Sequence, residues 1–294
     1  MSEGGILTGA FLDALQALDL YLHQPVNGHY SGERPSRAYG SSTEFADYRD
    51  YVPGDDLRRI DWNLAGRFDK YYIKRFMDEK QARNRIYLDG SASMGQDGKG
   101  LTALRLAAAL GYLSVANMDS VSYRLLSGSG CAALTDHISG KERFFQGVQR
   151  LEKVAFQGTV DLGRAVPGDA DPGLGDGVSY ILSDLLTQSD WKGAVKELLG
   201  RGRQVAVVQV LSPEELEPSV RGALGLWDVE DGKNRLRVEV DRSALKAYSQ
   251  AVDFFLQDIR RFCAAHQVGY MMVRSDERVE EVLLTKGCAE ELIR

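Results

Sequence analysis

Three cysteines in 294 residues, Cys131, Cys263 and Cys288, are too few and too scattered for a disulfide frame. No C-x-x-C pair is present, which removes the usual zinc cluster and argues for a reducing compartment. The four histidines, His23, His29, His137 and His266, are equally dispersed, so no histidine-based metal motif is available. Positive charge is also scarce: the net charge is -6, which disfavours attraction to nucleic acid or to an anionic membrane surface. Basic residues do gather between Arg58 and Arg85, but aspartates and Glu79 are interleaved with them, as on a mixed solvated surface. No apolar run approaches the length of a membrane span. The opening "MSEGGILTGAFLDALQALDLYL" lacks a basic leader region and carries Asp13 and Asp19, which excludes a secretory signal. The expectation from these absences is a cytoplasmic protein.

Nucleotide-binding loops are missing as well. The stretch "SMGQDGKG" puts Gly98-Lys99 after a strand and before a helix, but the phosphate-loop pattern needs glycine at 93 and a hydroxyl at 100. Those positions hold Ser93 and Gly100. "GSG" at 128–130 and "GLGDG" at 173–177 both lead into strands, where a dinucleotide fingerprint follows one.

What is present is regular alternation. From about residue 85, apolar strand runs such as "RIYLD", "VSYILS" and "QVAVVQVL" alternate with helical segments such as "LTALRLAAALGYLSVANM" and "LKAYSQAVDFFLQDIRRFCAAH". Near-continuous apolar strands alternating with helices predict an α/β fold, a doubly wound and mostly parallel sheet covered on both faces. A last helix is expected to end near Ile293. Two regions depart from the alternation. Residues 31–84 show a polar loop, the turn "YVPGDD" and a strand candidate "KYYIKRF"; residues 222–240 show a β-hairpin around Asp231-Gly232. The expected division is an N-terminal helix with an accessory segment over 1–84, then an α/β domain over 85–294 carrying the hairpin.

Chemistry concentrates in "RIYLDGSASMG", where Asp89, Ser91 and Ser93 stand at alternate positions after a buried run. Ligands of open parallel sheets bind beyond the carboxyl ends of the strands. A carboxylate with two hydroxyls is an oxygen set that suits a hard cation such as Mg²⁺. Turn capping by the same residues explains the pattern equally well. Two further oxygens fall at matching places: Thr159 in "QGTVDLG" and Asp184 at the end of "YILSDLL". Each alone is compatible with a helix cap; three loops converging on one face are much less expected by chance.

In this order and on this alternation, Asp89, Ser91, Ser93, Thr159 and Asp184 resemble the metal-ion-dependent adhesion site of von Willebrand factor A domains. Upstream, "EFADYRDYVPGDDLRRIDWNLAGR", Glu44 to Arg67, resembles the signature of the domain of unknown function 58 family. In that family the signature precedes a von Willebrand A-like domain, and the two matches together cover all but the N-terminal helix. The resemblance implies that Ser91 and Ser93 bind a cation directly, Thr159 directly or through water, and Asp89 and Asp184 largely through water. Mg²⁺ is the implied ion, with Mn²⁺ or Ca²⁺ as alternatives. An open position would take a carboxylate from a partner. The family also implies a MoxR-type AAA+ ATPase as partner, with this chain its adaptor or co-chaperone in protein assembly or cofactor insertion, and an unknown client protein.

Within the signature, Asp55 is placed to cap a short helix, Arg58, Arg59 and Asp61 to form surface ion pairs, and Ile60 and Trp62 to pack on a core. The functional counterpart has Asp55, Arg58 and Asp61 forming a polar network beside the metal face or touching the partner. The hairpin and the preceding acidic "PEELEP" are expected near the metal face, where they either extend the sheet or help select partners. Two other function classes stay open: a Mg²⁺-dependent phosphoester hydrolase using Asp97 or Asp161, and a structural scaffold with an empty site. No catalytic constellation beyond the metal residues is visible in the sequence.

Overall fold

The computed structural model describes residues 5–22, 39–68, 70–77, 81–171, 177–220, 222–227 and 235–287. In chain order the first elements are α1 (Gly9–Leu22), β1 (Tyr39–Asp50), α2 (Trp62–Phe68), β2 (Tyr72–Met77) and β3 (Arg83–Asp89). Next come α3 (Lys99–Ala116), β4 (Ser120–Ser127), β5 (Gly130–Ala133), α4 (Lys141–Leu151) and α5 (Leu162–Ala165). They are followed by β6 (Val178–Ser183), α6 (Trp191–Gly200), β7 (Gln204–Leu211) and α7 (Pro213–Leu216). The chain closes with β8 (Gly222–Trp227), β9 (Arg235–Val240), α8 (Arg242–Ala265), β10 (Gly269–Arg274) and α9 (Val279–Val282).

Two compact units result: Met1–Gln24 with Ala82–Arg294, and Pro25–Gln81. The N-terminal helix therefore belongs to the α/β unit, not to an accessory segment spanning 1–84. The reason lies in its spacing. Phe11, Leu15 and Leu18 fall on one helical face, are almost fully buried, and join the same core as Ile86, Leu88 and Leu106.

The larger unit is built on a six-stranded sheet in the order β10-β7-β6-β3-β4-β5. All neighbours are parallel except the β4–β5 edge pair, so the doubly wound, mostly parallel fold expected from the alternation is what the chain forms. Central strand β3 is buried from Asn84 through Asp89, as a strand covered on both faces must be. Alternation sends Ile86 and Leu88 into one core and Tyr87 into the other. The first core also takes α1, α3 and α4; the second takes α5, α6 and α8. Helix α3 is buried along nearly its whole length. Its Gly111 lies so close to Tyr123 that an added Cβ would sit 1.9 Å from the phenol oxygen.

The smaller unit pairs β1 with β2 antiparallel, Arg49 opposite Ile73 and Asp50 opposite Tyr72. The "KYYIKRF" expectation corresponds to β2, whereas β1 occupies a stretch expected as polar loop. The hairpin strands β8 and β9 pair antiparallel as expected, with Leu224 opposite Val238; their Asp231-Gly232 turn lies outside the described residues. The last helix is shorter than expected in its described part, Val279–Val282 followed by one π-turn over Leu283–Gly287.

Candidate functional site

Starting at β3, the chain crosses through α3 to β4 on one side and later returns to β6 on the other. The order of strands thus reverses between β3 and β6, and the crevice beyond their carboxyl ends is where this fold class binds ligands. Asp89 is the last residue of β3, and Asp184 directly follows β6. Side chains tie the two ends together. Ser183 donates its hydroxyl to Asp89 Oδ2 at 2.5 Å, and the Ser91 N–H donates to Oδ1 at 2.9 Å. The Ser91 and Ser93 hydroxyl oxygens stand 3.0 Å apart.

The third loop is stitched to the first by backbone bonds. Gln157 N–H donates to Gly90 O and Ala92 N–H to Gly158 O, both at 2.8 Å. The Thr159 carbonyl accepts from Gly128 N–H at 2.9 Å, which ties exposed Thr159 to the turn between β4 and β5. Gly90 lets the Asp89 loop pass close to β4: a Cβ there would meet the Leu126 carbonyl at 2.6 Å. Strain collects on the other side, where buried, non-glycine Leu185 is held at φ 59° immediately after Asp184. All five residues singled out in the sequence therefore lie on three loops at one edge of the sheet.

The residue that sequence reasoning missed is Lys99. Its ammonium is buried, 1% exposed, and contacts Asp184 Oδ2 at 2.8 Å and Glu215 Oε1 at 2.5 Å. A lysine in the first turn of a helix opposes the helix dipole. That misfit was the available signal that this cation serves carboxylates elsewhere. Burial works against its charge, but the two carboxylates outweigh this and leave its pKa raised. Asp89 has no such counter-charge among the described ion pairs; burial pushes its carboxyl above the ordinary range, opposed by the bonds from Ser183 and Ser91.

Asp184 is held at every oxygen. Its Oδ1 accepts from Leu186 N–H at 3.0 Å, and its carbonyl accepts from Gln209 Nε2 at 2.9 Å. Tyr270 in turn donates to Gln209 Oε1 at 2.7 Å. Glu215 Oε2 closes a capping box by accepting from Ser212 N–H at 2.8 Å. Among the described residues, the carboxylates of Asp184 and Glu215 share one ammonium, Lys99, and Asp89 has no ion-pair partner.

That donor set bears on whether a divalent cation fits. Asp89, Ser91 and Ser93 offer a carboxylate and two adjacent hydroxyls, hard oxygen donors suited to Mg²⁺. Asp184 fits less well, because the Lys99 ammonium already occupies one of its oxygens. Among the described residues no group of three or more His, Cys, Asp or Glu converges as a metal cluster, so such a site would be largely hydroxyl-lined.

The other residues considered from sequence make contacts of their own. Asp161 pairs with Arg164 at 3.5 Å, and the Asp97 carbonyl accepts from Ser275 Oγ at 2.6 Å. In the smaller unit, Asp55 pairs with Arg49 at 2.6 Å and accepts from Val52 N–H, so it closes a turn. It is Asp56, not Asp55, that caps the short helical turn, by accepting from Arg58 N–H. Asp61 is buried, not on the surface; it accepts from the Asn63 N–H and from the Tyr48 hydroxyl. Ile60 is buried as expected, but Trp62 is 63% exposed and meets Tyr71 edge-on. The described contacts of Asp55, Arg58 and Asp61 run to other residues, not to one another.

The sequence profile described as "Protein of unknown function DUF58" matches residues 47–253. The uncharacterized protein Rv1480 of Mycobacterium tuberculosis is 22% identical over 282 residues, 94% of this chain and 88% of its own. Among solved structures, the conserved hypothetical protein BatB of Bacteroides thetaiotaomicron is similar with a TM-score of 0.43 and 14% identity, covering 72% of this chain and 99% of that one. A von Willebrand factor type A protein of Catenulispora acidiphila gives 0.39 and 10%, covering 74% and 43%. No helix among the described residues is long and apolar enough to cross a membrane.

Proposed function

This chain belongs to the DUF58 family of proteins of unknown function, and we propose that it is a metal-dependent protein-binding adaptor acting through the Asp89 edge of its sheet. One observation carries the reading. Asp89, Ser91, Ser93 and Asp184 stand at the ends of β3 and β6, where the strand order reverses, and among the described residues the carboxylates of Asp89, Asp184 and Glu215 have one ammonium, Lys99, as ion-pair partner. Asp89, Ser91, Ser93, Thr159 and Asp184 hold the cation, Mg²⁺ or in its place Mn²⁺ or Ca²⁺. When bound, the cation supplies positive charge at a position open to a partner's carboxylate. The chain's own residues do the rest. Ser91 and Ser93 present neutral oxygens that leave that charge unspent, and Ser183 and the Ser91 N–H aim Asp89.

The partner in this reading is a MoxR-type AAA+ ATPase, with a client protein that offers an aspartate or glutamate, in protein assembly or cofactor insertion. The support for the ATPase is the Glu44–Arg67 signature. Asp55 and Arg58 belong to the partner surface in the same reading, with buried Asp61 in the same segment. A cytoplasmic place goes with it and agrees with the free thiols of Cys131 and Cys263. The test is capture of the neighbouring ATPase by immobilised protein, with and without chelator, beside the Ser91→Ala, Ser93→Ala double variant. Capture that needs both the metal and the two hydroxyls supports the reading; capture indifferent to either removes it.

A further inference from the structure

Lys99 is more than a filler of negative charge. It begins α3, yet its ammonium reaches Asp184 at the end of β6 and Glu215 in α7. Glu215 does two other jobs. Its second oxygen caps α7 through Ser212 N–H, and its carbonyl accepts from the Tyr248 hydroxyl of α8 at 2.7 Å. One buried lysine therefore joins the sheet edge, α7 and, through Glu215, α8. Helix α7 leads directly into the β8–β9 hairpin.

The competition follows from counting oxygens. Asp184 Oδ1 accepts from Leu186 N–H and Oδ2 from the Lys99 ammonium, so a metal drawing on Asp184 shares an oxygen with one of these donors, and on the Oδ2 side that donor is a cation. A divalent ion drawing on Asp184 would meet the ammonium as a like charge at short range, in a buried setting where screening is weak.

We infer that Lys99 is a built-in cation that competes with the divalent metal for Asp184 and, through Glu215, ties α7 to the binding edge, so that metal occupancy loosens α7. The inference rests on the metal reading proposed above. Linkage makes the effect reciprocal: whatever loosens the Lys99 contacts strengthens metal binding, and metal binding loosens those contacts.

The experiment is a calorimetric titration of MgCl₂ at fixed ionic strength into wild type, Lys99→Met, Lys99→Gln and a remote control, Lys192→Met. Lys192 pairs with Asp258 and lies over the Trp191 and Phe262 rings, with no described contact to Lys99, Asp184 or Glu215, so its loss matches the change in net charge without touching their contacts. Lys99→Gln keeps an N–H donor for Asp184 and serves where the methionine variant does not fold. Either Lys99 variant should bind Mg²⁺ about tenfold tighter or better, with the control unchanged. Hydrogen exchange over residues 213–219 should speed up in wild type on Mg²⁺ saturation, and be fast in Lys99→Gln without metal. Equal affinities in all four proteins overturn the competition and leave the metal reading standing. Binding by the Lys99 variants alone supports the competition while removing the metal reading for wild type. No binding by any protein overturns both.

Discussion

Replacing Asp89 by asparagine separates what this residue does for binding from what it does for stability. The side chain is 3% exposed and has no cation among its described partners. An ionised carboxylate buried this way costs several kcal/mol. It is partly repaid by the bonds from Ser91 N–H at 2.9 Å and Ser183 Oγ at 2.5 Å. Hydrogen bonds to a charged acceptor contribute about 1.5–3 kcal/mol each, neutral ones about 0.5–1.5. Asparagine keeps both: its Oδ1 accepts from Ser91 and its Nδ2 donates to the Ser183 oxygen. Losing the burial cost outweighs weakening two bonds, so Asp89→Asn in chelator should be more stable by on the order of 1 kcal/mol, or about 2–4 °C in Tm. With Mg²⁺ at a hundred times its dissociation constant, wild type should gain about 2.7 kcal/mol and the variant almost nothing. The assay is thermal unfolding at pH 8 followed by circular dichroism, with chelator and with MgCl₂. A drop of several degrees for the variant in chelator would refute the reasoning, since it would show the carboxylate charge already compensated.

Other outcomes follow from the same structure. Tyr123 carries a fully buried hydroxyl with no partner among the described residues; Tyr123→Phe should raise stability by about 1 kcal/mol, measured by urea unfolding. Gly111→Ala should cost about 1–3 kcal/mol by overpacking, with part of the loss recovered when Tyr123→Phe removes the oxygen 1.9 Å from the new methyl. His137 is held below its ordinary pKa by burial first and then by the nearby charge of Arg85, with Asp171 opposing and Arg124 adding to the effect. The unfolded chain thus takes up a proton before the folded one does, and stability should fall as pH drops below about 6.5. Denaturant midpoints at pH 7.5 and pH 5 should separate more for wild type than for His137→Gln; equal separation would contradict the assignment.

Strands β3, β6 and β7 are legible because strands covered on both faces carry largely apolar runs, and Asp89 and Asp184 stand out as charges where those runs end. The antiparallel strand Tyr39–Asp50 is not, because a small two-stranded unit needs no apolar run and its polar residues resemble a loop. Asp55 and Asp56 are both capping residues, and only the backbone decided which one closes the turn and which caps the helix. Lys99 shows the limit most clearly. It attracted notice only as a failed phosphate loop, since its partners lie 85 and 116 residues away, a separation that no local pattern encodes.

The most direct test of the account is the titration of MgCl₂ into purified protein beside the Ser91→Ala, Ser93→Ala double variant. The account predicts one saturable site in wild type and at least tenfold weaker binding, about 1.4 kcal/mol, when both hydroxyls are gone. No binding by wild type, or equal binding by the two proteins, would contradict it and leave the Asp89 loop a turn closed by its own hydrogen bonds.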